Sequence, residues 1–265
     1  MQLELFEISG IPIGINFYGL MYALTFGCGY YFLSRQNLWN PRGLERSVIC
    51  LILGVILGGR IGYILIYNLA YYLEHPLKIF AIYEGGMSFH GGLIGVIIAT
   101  FFIARGLPQS DWINYARSFR ERFLILIDHL ALIAPFGIAL GRFGNYMNHE
   151  LLGASGYTGP LAVAINNISY FPSPLLEMLL EGILLGTIIL CISIFKKQRR
   201  SGTLALIFAI GYSIARFISE FFREPDAQLG YLLGGMSMGQ ILSIVMCIFG
   251  SLFLLSLMYA PNRKK

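Results

Sequence analysis

The chain has 265 residues, of which 56% are hydrophobic and 12% charged, and its formal net charge is +5. Soluble domains carry about twice that share of charged residues. The low charge and the mean hydropathy of +0.68 together exclude an ordinary soluble enzyme. The positive charge suits either a nucleic-acid binder or a membrane protein with basic cytoplasmic loops. Its distribution along the chain favours the membrane protein, and no nucleic-acid partner is expected.

Long apolar segments recur along the whole chain. A helix needs about 20 apolar residues to cross the hydrocarbon core of a bilayer. The segments that meet this requirement are residues 16–34, 48–68, 88–105, 123–143, 173–195, 203–222 and 236–259. The sequence therefore predicts an all-α integral membrane protein of about seven transmembrane helices, formed by a single polytopic domain over residues 1–265.

The loops between these spans alternate in charge. One set holds most of the 19 basic residues, namely Arg35, Arg42, Arg46, Arg105, Arg117, Arg120, Arg122, Lys196, Lys197, Arg199, Arg200, Arg263, Lys264 and Lys265. The positive-inside rule places this set in the cytoplasm. The N-terminus is then outside, the C-terminus is cytoplasmic, and residues 144–172, between spans four and five, form an outer-face segment.

Four arginines stand apart from the basic loops. Arg60 and Arg216 lie inside predicted spans, whereas Arg142 and Arg223 lie at outer ends of spans. An arginine at the centre of a transmembrane helix costs about 2.5–3.5 kcal/mol on insertion scales and usually faces an acid or a polar cavity. The acids within spans are Asp128, Glu177, Glu181 and Glu220. For Arg60 we expect a structural pair with Asp128, Glu177 or Glu220.

Tyr212, Arg216 and Glu220 follow one another at intervals of four residues, with Arg223 about one turn further on. They therefore share one face of a helix. This stripe is either a structural ion pair between helices or part of an anion site. Arg216 lies roughly 9 Å from the outer end of its span at 1.5 Å per residue. At that depth a guanidinium suits a phospholipid phosphate, and the gathering of arginines toward the outer face favours the anion site.

Glycine-rich and proline-rich segments also lie at the outer ends of spans. EGGMSFHGGLIG, residues 84–95, surrounds His90 with glycines that permit close approach of a ligand. We expect His90 to face the arginines, although a hydrogen-bonded structural histidine is the alternative. In SYFPSPLLEMLLEG, residues 169–182, Ser173 is predicted to cap a helix whose first residue is Pro174.

GRFGNYMNHE, residues 141–150, follows a long apolar run. It brings together Arg142, Asn145, Asn148 and Glu150. This group combines amide and guanidinium donors with one carboxylate, and such density is costly in apolar surroundings unless a ligand or partners satisfy it.

The motifs taken together resemble the bacterial prolipoprotein diacylglyceryl transferase family. They are FYGLMY (17–22), GGRIGY (58–63), GGMSFHGGLIG (85–95), GRFGNYMNHE (141–150), PSPLLEMLLEG (172–182), RFISEFFREPD (216–226) and SMGQILSI (237–244). The resemblance implies a seven-helical enzyme of the bacterial inner membrane, acting at its outer, periplasmic face. It implies transfer of the diacylglyceryl group of phosphatidylglycerol to the lipobox cysteine of a preprolipoprotein, the first step of lipoprotein maturation, without a metal or cofactor.

By position, the resemblance assigns functional roles to Tyr18, His90, Arg142, Asn145, Glu150, Tyr212, Arg216 and Glu220. With the flanking Asn148 and Arg223, these form two predicted groups. The phosphatidylglycerol-binding group is Arg142, Asn145, Asn148, Glu150, Tyr18 and Arg223, and the catalytic group is His90, Arg216, Tyr212 and Glu220. His149, Pro174 and Leu176 depart from the family pattern but replace no charged site residue.

The implied chemistry is attack of sulfur on a glycerol carbon. A thiol with a pKa of about 8.5 must first lose its proton. His90 is one candidate base, and the Tyr212–Arg216–Glu220 stripe is another. Arg142 and Arg216 would neutralise the charge that grows on the leaving phosphate.

Two other functions remain as alternatives. GASG, residues 153–156, suits an intramembrane serine protease with Ser155 as nucleophile and His90 or His149 as base, but the motif opens no helix. A lipid or anion transporter would also use buried arginines. Transporters usually contain two related halves, and the sequence shows no convincing repeat.

Overall fold

The computed structural model describes residues 2–8, 11–81, 85–106, 111–113, 118–196, 200–224 and 230–259. Several residues of the loop analysis lie outside this part, namely Arg117, Lys197, Arg199, Arg263, Lys264 and Lys265. The described part is mostly helical, which confirms the all-α membrane class. Two compact units divide the chain, and each is described by itself.

In the part of the chain that the structure describes, six helices are long and apolar enough to cross a membrane. They are Pro41–Tyr67 (α2), Phe89–Gly106 (α4), Phe119–Met147 (α5), Ser173–Phe195 (α6), Thr203–Phe222 and Met238–Leu257. They match the last six predicted spans. The fifth of these spans contains α7 (Thr203–Ser219), and the sixth lies within α8 (Met238–Tyr259). The first predicted span, residues 16–34, forms helix α1 (Phe17–Ser34).

Large apolar side chains are exposed along these helices. On α2, Leu53, Leu57, Ile61 and Leu65 are each at least half exposed. Residues spaced by four lie on one helix face, so α2 presents a continuous apolar stripe of the kind that lipid chains contact.

Among the described residues, two short hairpins accompany the helices. β1 (Gln2–Ile8) pairs antiparallel with β2 (Ile11–Asn16), ahead of α1. β3 (Val163–Ile165) pairs antiparallel with β4 (Ile168–Tyr170) inside the predicted outer-face segment. The hairpins add a small amount of strand to the predicted helical fold.

The first unit spans Tyr30–His129 and is called here the glycine unit. Helices α2 and α4 meet in it through small residues at intervals of four, Gly54, Gly58 and Gly62 on α2 and Gly91, Gly95 and Ala99 on α4. A Cβ at Gly58 would lie 2.5 Å from the Gly91 carbonyl oxygen and 2.7 Å from the Gly95 Cα. Small residues let transmembrane helices approach this closely.

Helix α2 begins at Pro41 rather than near residue 48. Asn40 caps it, because its side-chain oxygen accepts a hydrogen bond from the Gly43 N–H at 2.8 Å, and Pro41 occupies the first helical position. After α2 come a short helix, α3 (Leu69–Glu74), and a 3₁₀ turn over Pro76–Phe80.

The second unit comprises Met1–Gly29, Leu130–Asp226 and Gly230–Lys265 and is called here the arginine unit. Helix α5 packs on α6 in it, where a Cβ at Gly182 would lie 2.6 Å from the Ala139 Cβ. Helix α6 is α-helical over Ser173–Glu177, forms a π-helical stretch over Met178–Leu184, and is α-helical again over Leu185–Phe195. Such π-helical insertions are frequent at functional sites.

The predicted cap of α6 is wrong. The helix already includes Ser173, and Pro172 takes the capping position. The Ser173 hydroxyl instead donates a hydrogen bond of 2.7 Å to the Leu151 carbonyl oxygen. It therefore serves to attach the segment after α5 to the start of α6.

Candidate active site

A buried cluster of arginines and glutamates lies in the arginine unit. Its members are Arg142, Glu177, Glu181, Arg216, Glu220 and Arg223. The glutamates on α6 are both 0% exposed, and Arg216 is 5% exposed. Buried ions are costly unless paired, so the pairing within this cluster determines what it can do.

Two glutamates on α6 join Arg142 and Arg216 in a closed ring. Glu177 lies 2.8 Å from Arg142 Nη1 through one carboxylate oxygen and 2.9 Å from Arg216 Nη1 through the other. Glu181 accepts hydrogen bonds from Arg142 Nε at 3.2 Å and Nη2 at 3.0 Å, and from Arg216 Nη1 at 3.3 Å. Each carboxylate therefore contacts both guanidinium groups.

A third glutamate extends the ring along α7. Arg216 Nη2 forms an ion pair with Glu220, as the four-residue spacing predicted. Arg223 Nη1 lies 3.6 Å from the same Glu220 oxygen. The other Glu220 oxygen accepts a hydrogen bond of 2.6 Å from the Ser237 hydroxyl.

The start of α8 shapes the surroundings of Glu220. Gln240 N–H donates to the Ser237 hydroxyl oxygen at 3.1 Å, and Ser237 N–H donates to Gln240 Oε1 at 3.0 Å. This reciprocal arrangement is a capping box. A Cβ at Gly239 would lie 2.5 Å from Glu220 Oε1, so glycine permits the carboxylate to lie against the helix terminus.

The guanidinium groups keep donors for a further ligand. An arginine carries five N–H groups. Arg142 and Arg216 each direct three of them at carboxylates, among the residues that the structure describes. The three glutamates balance the three arginines, so a bound phosphate would depend on the remaining charged N–H donors and not on a net positive charge. The arrangement suits a phosphate ester.

Further predicted residues lie next to this cluster. Asn145 is 6% exposed, one turn beyond Arg142 on α5, and its carbonyl oxygen accepts a hydrogen bond of 2.9 Å from the Glu150 N–H. Tyr212 is fully buried one turn before Arg216, and its ring stacks on Phe208 with centroids 5.9 Å apart.

The remaining predicted residues are less tightly placed. Asn148 is half-buried in the turn that ends α5, and the Glu150 side chain is exposed. Tyr18 lies in α1, and its side chain is outside the described part. His90 lies in the first turn of α4, in the glycine unit. Its expected orientation toward the arginines stays a prediction.

Glu177 and Glu181 were expected as intramembrane acids but not as members of the site. Their signal was two carboxylates four residues apart in an apolar helix, a spacing that places both on one face. Ser237 and Gln240 were also missed, although Ser-x-x-Gln before an apolar run is a capping-box signature.

Arg60 does not follow its expected pairing with Asp128, Glu177 or Glu220. Its side chain is buried in the glycine unit and its N–H groups point at backbone carbonyl oxygens, those of Lys78, Ile79, Ala81, Gly85 and Gly86. Backbone oxygens satisfy a guanidinium as carboxylates do, so burial of Arg60 needed no acid.

Ser155 lies in an exposed stretch that pairs with the β3–β4 hairpin. Ser155 forms a β-bridge with Tyr170, and the Gly156 N–H donates to the Ser169 carbonyl oxygen at 2.7 Å. A nucleophile elbow would place the serine at the start of a helix, which is not the arrangement at Ser155.

Fold and site together define an integral membrane protein built around a buried arginine–glutamate network. Comparison with known proteins narrows this class. The model of the family described as prolipoprotein diacylglyceryl transferase matches residues 4–256.

Relatives of this chain carry the same description. A phosphatidylglycerol–prolipoprotein diacylglyceryl transferase of Idiomarina loihiensis is 43% identical over 93% of this chain and 89% of the relative. Proteins of that name from Geobacter sulfurreducens, 43% identical over 89% of this chain and 88% of the relative, and from Pasteurella multocida, 41% identical over 98% and 94%, are similar. The chain belongs to the prolipoprotein diacylglyceryl transferase family, and it is a transferase of the membrane.

Proposed function

We propose that this chain transfers the diacylglyceryl group of phosphatidylglycerol to the thiol of a lipobox cysteine in a preprolipoprotein. The observation that carries the proposal is the ring in which Glu177 and Glu181 hold Arg142 and Arg216 together, with donors left for a phosphate. The names of the relatives support the same substrates.

In the proposed reaction the cysteine sulfur attacks the glycerol carbon that carries the phosphate ester. A carbon–sulfur bond forms, the carbon–oxygen bond to phosphate breaks, and glycerol phosphate leaves. The thiol proton passes to a base, for which His90 and the Tyr212–Arg216–Glu220 stripe are the two candidates. Negative charge grows on the leaving phosphate, and prearranged donors in a buried site stabilise such charge strongly.

The proposed roles follow from position in the cluster. Arg142, with Asn145 beside it, would bind the phosphatidylglycerol headgroup, and Asn148, Glu150, Tyr18 and Arg223 would complete that binding site. Arg216 would stabilise the leaving phosphate. Because the glutamates hold the guanidinium groups in place before substrate arrives, little reorganisation is needed when charge develops.

We also propose seven spans, with α1 as the first, an outer N-terminus and a cytoplasmic C-terminus. Described basic loop residues lie at or beside ends of helices, as Arg35 does at α1, Arg42 at α2, Arg105 at α4, Arg120 at α5 and Arg200 at α7. The arginine–glutamate cluster is built from the opposite ends of α5, α6 and α7. The positive-inside rule then assigns the cluster to the periplasmic face of the inner membrane.

Cysteine accessibility tests this orientation. In a background that lacks the four native cysteines, an impermeant maleimide added to spheroplasts should label Ser155→Cys. It should label Arg120→Cys only after the membrane is permeabilised. Labelling in the reverse pattern would overturn the proposed orientation.

A mass measurement tests the activity. The purified protein is incubated with phosphatidylglycerol vesicles and a lipobox peptide, with a peptide that carries serine in place of cysteine as the control. Transfer predicts that only the cysteine peptide gains the mass of one diacylglyceryl group. Cleavage of the peptide would instead indicate a protease, and an unchanged peptide would contradict the proposal.

A further inference from the structure

All three guanidinium nitrogens of Arg60 donate hydrogen bonds to backbone carbonyl oxygens of one segment, residues 78–86. Nε donates to Ile79, Nη1 to Gly85 and Gly86, and Nη2 to Lys78 and Ala81, over distances from 2.5 to 3.3 Å. An arginine has five N–H groups, so every donor of Arg60 has a carbonyl partner. The Tyr72 ring lies against the guanidinium, 5.1 Å from centroid to Cζ.

The segment held by Arg60 includes the end of the 3₁₀ turn Pro76–Phe80, to which Lys78 and Ile79 belong. The Lys78 carbonyl oxygen already accepts a backbone hydrogen bond of 3.1 Å from the Ala81 N–H, and Arg60 supplies a further donor, since a carbonyl oxygen has two lone pairs. A cation at a helix C-terminus also interacts favourably with the helix dipole. Arg60 therefore acts as a side-chain cap for this turn, supplied from the neighbouring helix α2.

The same segment leads directly into the helix that carries His90. Gly86 has a φ of +77° and packs so tightly that a Cβ there would lie 2.6 Å from a Tyr63 ring carbon. Ser88 N–H donates to the Gly59 carbonyl oxygen at 2.9 Å. Residues 59–63 of α2 thus contact the segment that precedes His90 in three ways. Arg60 binds its carbonyl oxygens, the Tyr63 ring packs against it, and the Gly59 carbonyl oxygen accepts a hydrogen bond from it.

The first turn of α4 is in turn fixed by Ser88. The Ser88 hydroxyl oxygen accepts a hydrogen bond from the Gly91 N–H at 3.2 Å, and its carbonyl oxygen accepts one from the Gly92 N–H at 2.9 Å. A Cβ at Gly62 would lie 2.6 Å from the Gly91 Cα. His90 therefore stands on a turn that contacts α2 on both sides of it, at Ser88 and at Gly91.

We propose that Arg60 is a positioning residue for His90. It holds the carbonyls of residues 78–81 and 85–86, and through them it sets the entry of the chain into α4 and the placement of the His90 imidazole. The proposal rests on the proposed function and takes His90, one of its two candidate bases, as the group that acts in transfer. With all its donors engaged, Arg60 serves this role rather than that of a phosphate ligand.

A double-mutant cycle tests this role. Arg60→Lys keeps the charge but offers only one nitrogen, and it should lower kcat about tenfold while KM for phosphatidylglycerol changes less than about twofold. If Arg60 acts through His90, the same substitution should lower kcat less than about twofold in a His90→Gln protein. If Arg60→Lys lowers kcat by the same factor in the His90→Gln protein as in the wild type, the proposal is overturned. A His90→Gln protein as active as the wild type would also overturn it.

Hydrogen exchange gives a second measurement that does not depend on turnover. Arg60→Lys should speed exchange in peptides covering residues 76–92 and leave those covering residues 173–195 unchanged. Arg105→Lys is the matched control, because Arg105 is exposed in the last turn of α4, and it should alter neither exchange nor kcat. Unchanged exchange in residues 76–92 of Arg60→Lys would overturn the proposal.

Gly86→Ala perturbs the same segment without touching the guanidinium. An alanine at a φ of +77° and against the Tyr63 ring is strained, so it should show the same loss of kcat and the same dependence on His90. A wild-type protein that adds no diacylglyceryl group to the lipobox peptide would overturn the proposed function itself. If the wild-type protein is active but the Arg60 and His90 substitutions lower kcat independently of each other, only the role of Arg60 is overturned.

Discussion

Glu181 accepts two hydrogen bonds from Arg142, one from Nε at 3.2 Å and one from Nη2 at 3.0 Å. The glutamate belongs to the π-helical stretch Met178–Leu184 of α6, and its side chain is completely buried. Both hydrogen bonds converge on Glu181 Oε2, and Arg142 Nη1 lies 2.8 Å from Glu177 Oε2, so two carboxylates together hold all three nitrogens of this guanidinium. Arg142 is therefore oriented by protein groups before any lipid arrives.

Neutralising Glu181 should loosen this orientation. Glu181→Gln keeps the shape but removes a buried charge that faces Arg142 and Arg216, and we expect it to destabilise the protein by about 3 kcal/mol. Transfer should fall at least about tenfold, because the phosphate donors lose their fixed positions. Thermal unfolding and the peptide mass assay measure both effects. Glu74→Gln, at an exposed position, is the control, and equal behaviour of the two variants would contradict the prediction.

Removing Arg216 should abolish transfer while the protein still inserts. Arg216→Ala leaves three glutamates, Glu177, Glu181 and Glu220, without their shared cation. We expect transfer to fall at least about 100-fold, the cost typical of lost transition-state donors. Insertion depends on the apolar helices and should persist in carbonate-washed membranes. Arg120→Ala, at an exposed position, should transfer normally, and near-normal transfer by Arg216→Ala would refute the phosphate role.

A methyl group at Gly239 should disturb Glu220 without unfolding the protein. The added Cβ would lie 2.5 Å from Glu220 Oε1, so the carboxylate must shift away from Ser237 and Arg216. We expect Gly239→Ala to lower transfer about tenfold or more, with a small change in the unfolding temperature. The matched variant is Gly27→Ala, where a Cβ would meet nothing within 4 Å. Identical activity of the two would show that Glu220 needs no fixed position.

The contact between α2 and α4 should tolerate no added carbon at Gly58. Its Cβ would meet backbone atoms of Gly91 and Gly95, which cannot move as a side chain can. Overpacking of this kind costs about 1–3 kcal/mol, so Gly58→Ala should lower the unfolding temperature and speed hydrogen exchange in α4. Gly106→Ala, in the same unit and with nothing within 4 Å of its Cβ, should leave both unchanged. An unchanged unfolding temperature for Gly58→Ala would contradict the close packing.

Features that depend on order along one helix were predicted well. Hydropathy located the six helices able to cross a membrane, because length and apolar content along one segment decide that property. The pairing of Arg216 with Glu220 followed from a spacing of four residues. The family motifs gave the transferase class that the comparisons confirm.

Features that depend on neighbouring chain segments were predicted poorly. Arg60 was expected to pair with an acid, and the structure gives it five carbonyls instead. Ser173 was expected to cap α6, and its hydroxyl contacts Leu151 instead. In both cases the sequence indicated the need for a hydrogen-bond partner but not which group would satisfy it.

The amino-acid sequence by itself determined the membrane class, the positions of the apolar helices and the presence of arginines that require partners. The cost of burying a guanidinium in hydrocarbon makes such partners necessary wherever the helices lie. Only the tertiary structure decided that Glu177 and Glu181 each contact both Arg142 and Arg216. That choice depends on the rotation and depth of α5, α6 and α7 against one another. Close packing at residues such as Gly182 and Ala139 sets this rotation and depth. The spacing of residues within one helix does not predict either of them.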